Sequence, residues 1–248
     1  MTSRLKYIVT IFLIRSITNP IDSSAQKNIE FIKDNFPEQK KLLKEALDDL
    51  NSGNDFFEEE RYTYALEHYQ KANRFNGDNA MLNFKVGKCY MHTVQRPKSI
   101  VYLEKAYNLD PNVDKNIQWL LAQSFQLNND WDRAIQSYTS YKQTLPPSEY
   151  LAMSAQIEKK IAECNSGKDL VKKPVRVFID NISEVNSPYP EYGPLISADE
   201  SVMIFTSRRQ FGKEAVLDPI FGEYFEDVYI STRVGVKWTP PIRMQDPI

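Results

Sequence analysis

Apolar residues in the middle of the chain follow a helical spacing and also return at a longer period. Gly53 and Ala65 are followed 34 residues later by Gly87 and Ser99. A repeat of this length predicts pairs of helices that stack into an α-solenoid. Six positions take part in each of the first two passes: Gly53, Phe56, Ala65, Tyr69, Ala72 and Gly77, then Gly87, Tyr90, Ser99, Leu103, Ala106 and Pro111. A third pass, shifted by one residue, has Ala122, Phe125, Ala134, Tyr138, Tyr141 and Pro146.

Small residues at facing positions explain how the two helices of one pair would pack. Gly53 and Ala65 allow a close approach, and a large residue such as Tyr69 fills the space beside them. Because a helical hairpin cannot bury its apolar face alone, the stack needs a seal at its ends. Residues 27–44 are predicted to form an opening helix. A sealing helix is predicted at Ser148–Cys164, with Ser148 as its cap, Leu151, Ile157 and Ile161 near one face, and Gly167 as its end.

These positions resemble the tetratricopeptide repeat over roughly Ala46 to Pro146. The tryptophan that the family carries in its first helix is missing in the first two repeats, where Asp49 and Asn83 stand. Trp119 lies one place away from that position in the third repeat. The period and the small residues are what stacking needs, so the departures put borrowed ligand specificity in doubt and leave the predicted fold unchanged.

The resemblance implies a concave groove lined by the first helix of each hairpin. The candidate partner-binding residues on those helices are aromatic, amide and basic: Asn54, Phe57, Phe84, Lys88, Met91, Trp119, Gln123 and Gln126. Such a mixture suits an extended peptide, since amides can bond its backbone while aromatic faces take its side chains. An alternative interpretation is that Phe84 and Trp119 belong to the core between repeats. Lys88 is too solitary to be identified with the carboxylate clamp of some family members.

Alternation of period two begins after "NSGKDLVKKPVR", where Gly167, basic residues and Pro174 interrupt the helical pattern. Residues 168–174 are therefore predicted to be a linker and residues 175–248 a β unit. The predicted strands are "VRVFID", "PLIS", "VMIFTS", "DVYIST" and "GVKWTPP", with Asp199 and Glu200 in a turn. Two adjacent carboxylates in that turn are too few oxygen ligands for Ca²⁺.

The stretches "NSPYPEYGPLISADESVMIFTSRR" and "EDVYISTRVGVKWTPPIRM" resemble the first blade of a TolB-like (WD40-like, PD40) β-propeller. The predicted fold class is α+β multidomain: an α-solenoid of three tetratricopeptide repeats with a sealing helix, then one blade of an incomplete antiparallel propeller. The sequence stops at Ile248, where a second blade would follow, so we expect a truncated propeller. The alternative is that the blade packs on the helical array or pairs with another chain. We expect residues 27–167 to fold autonomously and the blade to be marginal alone.

The order of these modules is similar to that of bacterial envelope proteins that end in an outer-membrane protein A-like, peptidoglycan-binding domain. Some relatives of this layout belong to the type nine secretion machinery. The N-terminus agrees with export, because Arg4 and Lys6 precede an apolar run, 7–14, and Ser23 and Ala25 suit a signal-peptide cleavage site. We therefore predict a signal peptide at residues 1–25, a helical array at 26–167, and a periplasmic, outer-membrane-associated protein. A cytosolic N-terminal segment is the alternative; the apolar run is too short to span a bilayer.

Composition and charge exclude several classes of function. The 248 residues carry a net charge of −2, without the basic excess of nucleic-acid binders. His68 and His92 lie in different predicted helices without further ligands at metal-binding spacing, so no metal site, cofactor or catalytic constellation is predicted. Cys89 and Cys164 are interpreted as buried small hydrophobes, with one disulfide bridge as the alternative.

Two functions of different kinds remain. The first is a non-enzymatic adaptor of the cell envelope, in which the tetratricopeptide groove docks a protein or peptide partner, with type nine secretion as one setting. The second is a structural anchor that would reach peptidoglycan through an outer-membrane protein A-like domain absent from this sequence.

Overall fold

The computed structural model describes residues 27–245, so the predicted signal peptide lies outside the described residues. The described part forms a helical array followed by a curled antiparallel sheet, which is the predicted fold class. The helices are α1 (Lys40–Glu58), α2 (Tyr62–Phe75), α3 (Ala80–Met91), α4 (Ser99–Leu109), α5 (Ile117–Leu127), α6 (Trp131–Thr144) and α7 (Pro147–Lys172). The strands are β1 (Glu191–Ile196), β2 (Val202–Ser207), β3 (Asp227–Val234), β4 (Lys237–Trp238) and β5 (Ile242–Arg243).

Consecutive helices form hairpins that close at the small residues of the repeat. A methyl group added to Gly53 would lie 2.6 Å from the Tyr69 ring, and one added to Gly87 would lie 2.6 Å from the side chain of Leu103. Both distances are too short for a real carbon contact, so each glycine is required by the close approach of the paired helix. The 34-residue pattern therefore predicted the pairs α1–α2 and α3–α4 correctly.

The first end of the array is covered by an extended segment, and the predicted opening helix at 27–44 is wrong. Helix α1 begins at Lys40, and a single 3₁₀ turn, Lys33–Asn35, precedes it. The backbone oxygen of Ile29 accepts hydrogen bonds from the side-chain amides of Asn76 (2.8 Å) and Asn79 (3.0 Å). These two hydrogen bonds hold the segment before α1 in an extended conformation along the turn between α2 and α3.

Helix α7 seals the other end but is longer than predicted. It starts after Pro146, which together with Pro147 sets its beginning, while the Ser148 side chain makes no capping bond. Gly167 does not end the helix, which continues to Lys172 through most of the predicted linker. A methyl group on Gly167 would lie 3.0 Å from the Trp131 ring, so this glycine serves close packing against α6.

The sheet is an antiparallel meander in the order β1-β2-β3-β4, with β5 also pairing with β3. One face packs on the turn that precedes the sheet, where Val185 joins the buried side chains of Met203, Phe205 and Tyr229. Arg209 fastens this turn, because its guanidinium donates to the backbone oxygen of Val185 at 2.7 Å. The strands predicted at 202–207 and 227–232 are confirmed.

The opposite face of the sheet carries aliphatic residues in register across four strands. Leu195 pairs with Ile204, Ile204 with Ile230, and Ile230 with Ile242. The outer two side chains are 71% and 69% exposed. Within the described residues this face has no second sheet against it, as expected of one blade from an incomplete propeller.

The strand predicted at "VRVFID" is wrong. Residues 174–181 have no regular secondary structure, and no backbone hydrogen bond joins them to the described sheet. Their apolar side chains are exposed, at 79% for Val175, 62% for Val177 and 91% for Ile179. The alternation of polar and apolar residues is present, but no neighbouring strand within residues 27–245 pairs with it.

The helical array and the sheet touch through the long connection between β2 and β3. Arg61 donates from Nε to the backbone oxygen of Pro219 at 2.8 Å, and Thr63 donates from its hydroxyl to the oxygen of Phe221 at 2.7 Å. The turn that presents these two oxygens is held by Asp218 and by Gly222, whose φ is +68°. A side chain on Gly222 would meet Thr63 at 3.0 Å. The positive φ and this close approach therefore both favour glycine at this position.

We expect the double substitution Arg61→Ala with Thr63→Val to expose the sheet to protease and to leave the helical array resistant. Arg61, immediately before α2, and Thr63, in its first turn, donate the side-chain hydrogen bonds that hold this turn, and a small isolated antiparallel unit is marginal in water. Limited proteolysis of the full chain, followed by mass spectrometry, would measure the cleavage rate within residues 173–245.

Arg74→Ala, which removes an exposed cation from the same helix, is the matched control. If the double variant is cut at the wild-type rate, the contact between α2 and the turn does not stabilise the sheet.

Candidate partner-binding groove

Helices α3, α5, α6 and α7 line a concave groove. The groove encloses about 740 Å³, and its wall includes Met91, Gln123, Gln126, Trp131, Lys160 and Glu163. Three of the predicted partner-binding residues, Met91, Gln123 and Gln126, therefore share one surface.

Gln126 is held in place by groups on α6 and α7. The Tyr138 hydroxyl donates to its oxygen at 2.8 Å, and its nitrogen donates to the Glu163 carboxylate at 3.1 Å. Lys160 donates to the same carboxylate at 2.7 Å. Both donors lower the pKa of Glu163, with the Lys160 bond as the larger cause. Lys160 and Glu163 were missed in the sequence because α7 was assigned only a sealing role.

A second surface, on α1 and α3, which we call the lysine cluster, consists of Asn54, Phe57, Lys85 and Lys88. The ammonium groups of Lys85 and Lys88 lie 5.5 Å and 5.0 Å from the centre of the Phe57 ring. At these distances each ammonium can make a cation–π interaction with the ring. The cluster thus presents two cations beside one aromatic surface.

Asn54 accepts two hydrogen bonds within this cluster. Its side-chain oxygen receives one from Lys85 at 2.6 Å and one from the hydroxyl of Tyr69 at 2.9 Å. Burial lowers the pKa of Lys85, partly offset by the carboxylate of Glu58. Lys85 was not among the predicted groove residues, although its spacing of three from Lys88 places both on one helix face.

Phe84 and Trp119 do not behave alike. Phe84 is 5% exposed and belongs to the buried core, as the alternative interpretation proposed. Trp119 is half-buried, and its ring meets those of Tyr138 and Tyr141 at centroid distances of 5.3 Å and 5.5 Å. Phe84 is therefore not available to a partner, whereas Trp119 packs on the core and keeps one side exposed.

The histidines and cysteines contact neighbouring side chains of the helical array. His68 pairs with Asp49 at 3.0 Å, and His92 stacks on Tyr62 at a centroid distance of 4.1 Å. Cys89 and Cys164 are free thiols in two different buried clusters, which confirms their interpretation as small hydrophobes. Burial raises the pKa of Cys89 to about 12, so the thiol stays protonated at neutral pH.

Residues 27–245 contain neither a metal-ligand cluster nor a helix that could span a membrane. No cluster of three or more histidine, cysteine, aspartate or glutamate side chains there could hold a metal ion. In the same residues, no helix combines the length and the apolar character that crossing a membrane requires. The Asp199 carboxylate in the β1–β2 turn is instead occupied by Ser197 and Ser201, which lower its pKa to about 2.

The chain is distantly similar to two plant proteins that contain tetratricopeptide repeats. It is 28% identical over 93 residues to Hsp70-Hsp90 organizing protein 3 of Arabidopsis thaliana, and 29% identical over 98 residues to Hsp70-Hsp90 organizing protein 1 of Glycine max. The matches cover 38% and 40% of this chain but 16% of each relative. No family model matches the chain. The similarity and the stacked hairpins together support a tetratricopeptide-like array.

Proposed function

We propose that this protein is a non-enzymatic adaptor whose concave groove binds an extended segment of a partner protein. The observation that carries the proposal is the lysine cluster, where two ammonium groups flank Phe57 beside the groove lined by Met91, Gln123 and Gln126. An aromatic ring, amides and cations on one concave surface can take side chains and backbone groups of a peptide together.

The distant relatives support the class of function rather than the partner. By their names they organize Hsp70 and Hsp90, so we propose by analogy that this chain also has a protein partner. This chain matches 16% of the length of each relative, so the similarity supports a class of ligand rather than a particular partner.

We further propose that the adaptor works in the bacterial cell envelope, in a secretion machinery such as type nine. The support is the export-like N-terminus and the resemblance of the module order to envelope proteins. Expression in a Gram-negative host, followed by N-terminal sequencing of the periplasmic fraction, tests this proposal. A mature chain beginning at Gln26 is expected; an uncleaved chain in the cytosol would contradict the envelope setting and leave the adaptor function untouched.

The adaptor function predicts that partner contacts are confined to the concave face. A photoreactive phenylalanine analogue placed at Gln123, in the groove, should form discrete adducts in cells that carry the gene. The same analogue at Gln143, exposed on α6, is the matched control and should form none. Equal adducts from both positions would argue against the groove as the docking surface.

Charge reversal at Lys88 gives a second measure of the same proposal. Lys88→Glu should reduce the Gln123 adduct several-fold, because it places a carboxylate beside Phe57 and Lys85. Its cost in stability should be no more than about 0.5 kcal/mol, since the side chain is partly exposed. Lys44→Glu, an exposed reversal on α1, is the control. Unchanged adducts in Lys88→Glu would remove the lysine cluster from the binding surface.

A further inference from the structure

The concave groove continues beyond the helical array into a second cavity. This cleft encloses about 500 Å³ between the array and the sheet. Its sheet wall includes Tyr192, Arg208 and Glu226, whereas His92 and Arg96 form part of its helical wall. The same two residues also line the groove, so groove and cleft share one boundary.

We propose that a partner segment crosses this boundary, lies against the sheet as well as the helices, and carries acidic side chains where it crosses. The proposal rests on the proposed adaptor function and adds to it the second wall and the charge of the ligand. The helical array is then half of a composite site, and the blade-like sheet is the other half.

A basic row marks the boundary. Lys88, His92 and Arg96 follow one another at intervals of four residues along α3 and the turn after it. No carboxylate among residues 27–245 forms an ion pair with Lys88 or Arg96 within 4.0 Å. Arg96, which lines both cavities, and Lys88, eight residues before it, attract an acidic ligand and disfavour a basic one.

The charged side chains on either side of the basic row form ion pairs within the protein. In the groove, Lys160 pairs with Glu163 at 2.7 Å. On the sheet wall, Arg208 pairs with Glu226 at 2.6 Å and with Glu223 at 3.3 Å, so this group has one carboxylate more than it has cations. The unmatched positive charge is therefore concentrated at the boundary, and acidic residues of the ligand are expected there rather than along its whole length.

The environment of His92 agrees with this charge distribution. Burial lowers the pKa of His92, and the positive charges of Lys88 and Arg96 lower it further, while Glu60 acts in the opposite direction. His92 stacks on Tyr62, and its lowered pKa leaves it uncharged at neutral pH, so Lys88 and Arg96 carry the positive charge of the row.

Both walls of the cleft are positioned before any ligand arrives. The hydrogen bonds from Arg61 to Pro219 and from Thr63 to Phe221 fix the sheet against α2. A site with preset walls loses less conformational entropy on binding than one whose halves must first come together. A composite surface is thus available to a ligand long enough to reach from the groove into the cleft.

Selection from a randomised library of extended peptides tests the proposal without knowledge of the natural partner. The full chain is the bait, and the peptides have about twelve residues, which span roughly 40 Å when extended. Selected peptides should be enriched in aspartate and glutamate. Arg96→Glu should weaken their binding about tenfold or more, whereas Lys98→Glu, a neighbouring exposed reversal, should leave it unchanged.

Contact between the peptide and the sheet wall can be measured on the unmodified chain, without a variant that must first fold. A selected peptide with a photoreactive group at each end should label residues 190–226 from one end and the helices from the other, in the unmodified chain. Tyr192→Ala should weaken the same peptide several-fold.

Labels confined to the helices, or full affinity in Arg96→Glu, would overturn the composite site while peptide binding in the groove survives. If no peptide is selected, the proposed binding of extended segments fails and the composite site fails with it.

Discussion

Replacing Tyr69 by alanine is expected to cost about 3 to 5 kcal/mol of folding free energy. The side chain is fully buried, its ring lies against Gly53, and its hydroxyl donates to Asn54 at 2.9 Å. Removing the ring leaves a cavity at the closest approach of α1 and α2, where the neighbouring glycine has no side chain that could fill it. Denaturant unfolding followed by far-ultraviolet circular dichroism would measure the loss.

Tyr69→Phe is the matched control for this prediction. It keeps the ring and removes the hydrogen bond to Asn54, so the expected cost is about 1 kcal/mol. A loss of similar size in both variants would mean that the hydrogen bond, rather than the filled space, stabilises the hairpin. Wild-type stability in Tyr69→Ala would contradict the packing of the first repeat.

Replacing Trp119 by alanine is expected to cost about 3 kcal/mol of folding free energy. Its ring packs on Tyr138 and Tyr141 and on the buried cluster of the second and third repeats. If Trp119 were purely a groove residue, its loss would weaken partner binding with little effect on stability. A thermal melt beside a binding measurement on the same variant separates the two roles.

The control for Trp119 is Trp119→Phe, which keeps an aromatic ring against Tyr138. It should recover more than half of the lost stability. Loss of binding with an unchanged melting temperature in Trp119→Ala would assign this residue to partner binding and contradict its packing role.

The repeat could be predicted because its determinants are local. A close helix pair needs a small residue at one fixed place, and the structure puts the Tyr69 ring against Gly53 and Leu103 against Gly87. Strands β2 and β3 were also predictable, because inward-facing and outward-facing residues alternate along each strand and turns bound each strand. The groove was predicted only in part, because helical spacing gives a residue's face but not its neighbours. For that reason the buried Phe84 was assigned to the groove, whereas Lys85, which donates to Asn54, was not.

The ends of elements depended on contacts that the sequence does not display. Gly167 looks like a stop signal but lies inside α7, where it lets Trp131 approach. Residues 175–179 have a strand pattern but no strand beside them among the described residues. Asn76 and Asn79 fix an extended segment that the sequence suggested would be helical.

The sequence by itself determined the number of hairpins, the small residues at which they close, and the change from helix to sheet. Each of these features depends on residues that lie within one repeat or one strand. Only the tertiary structure decided that the turn at Pro219 binds Arg61 and that the cleft shares Arg96 with the groove. Those contacts join residues far apart in the chain, and no periodicity along the sequence encodes which distant surfaces will meet.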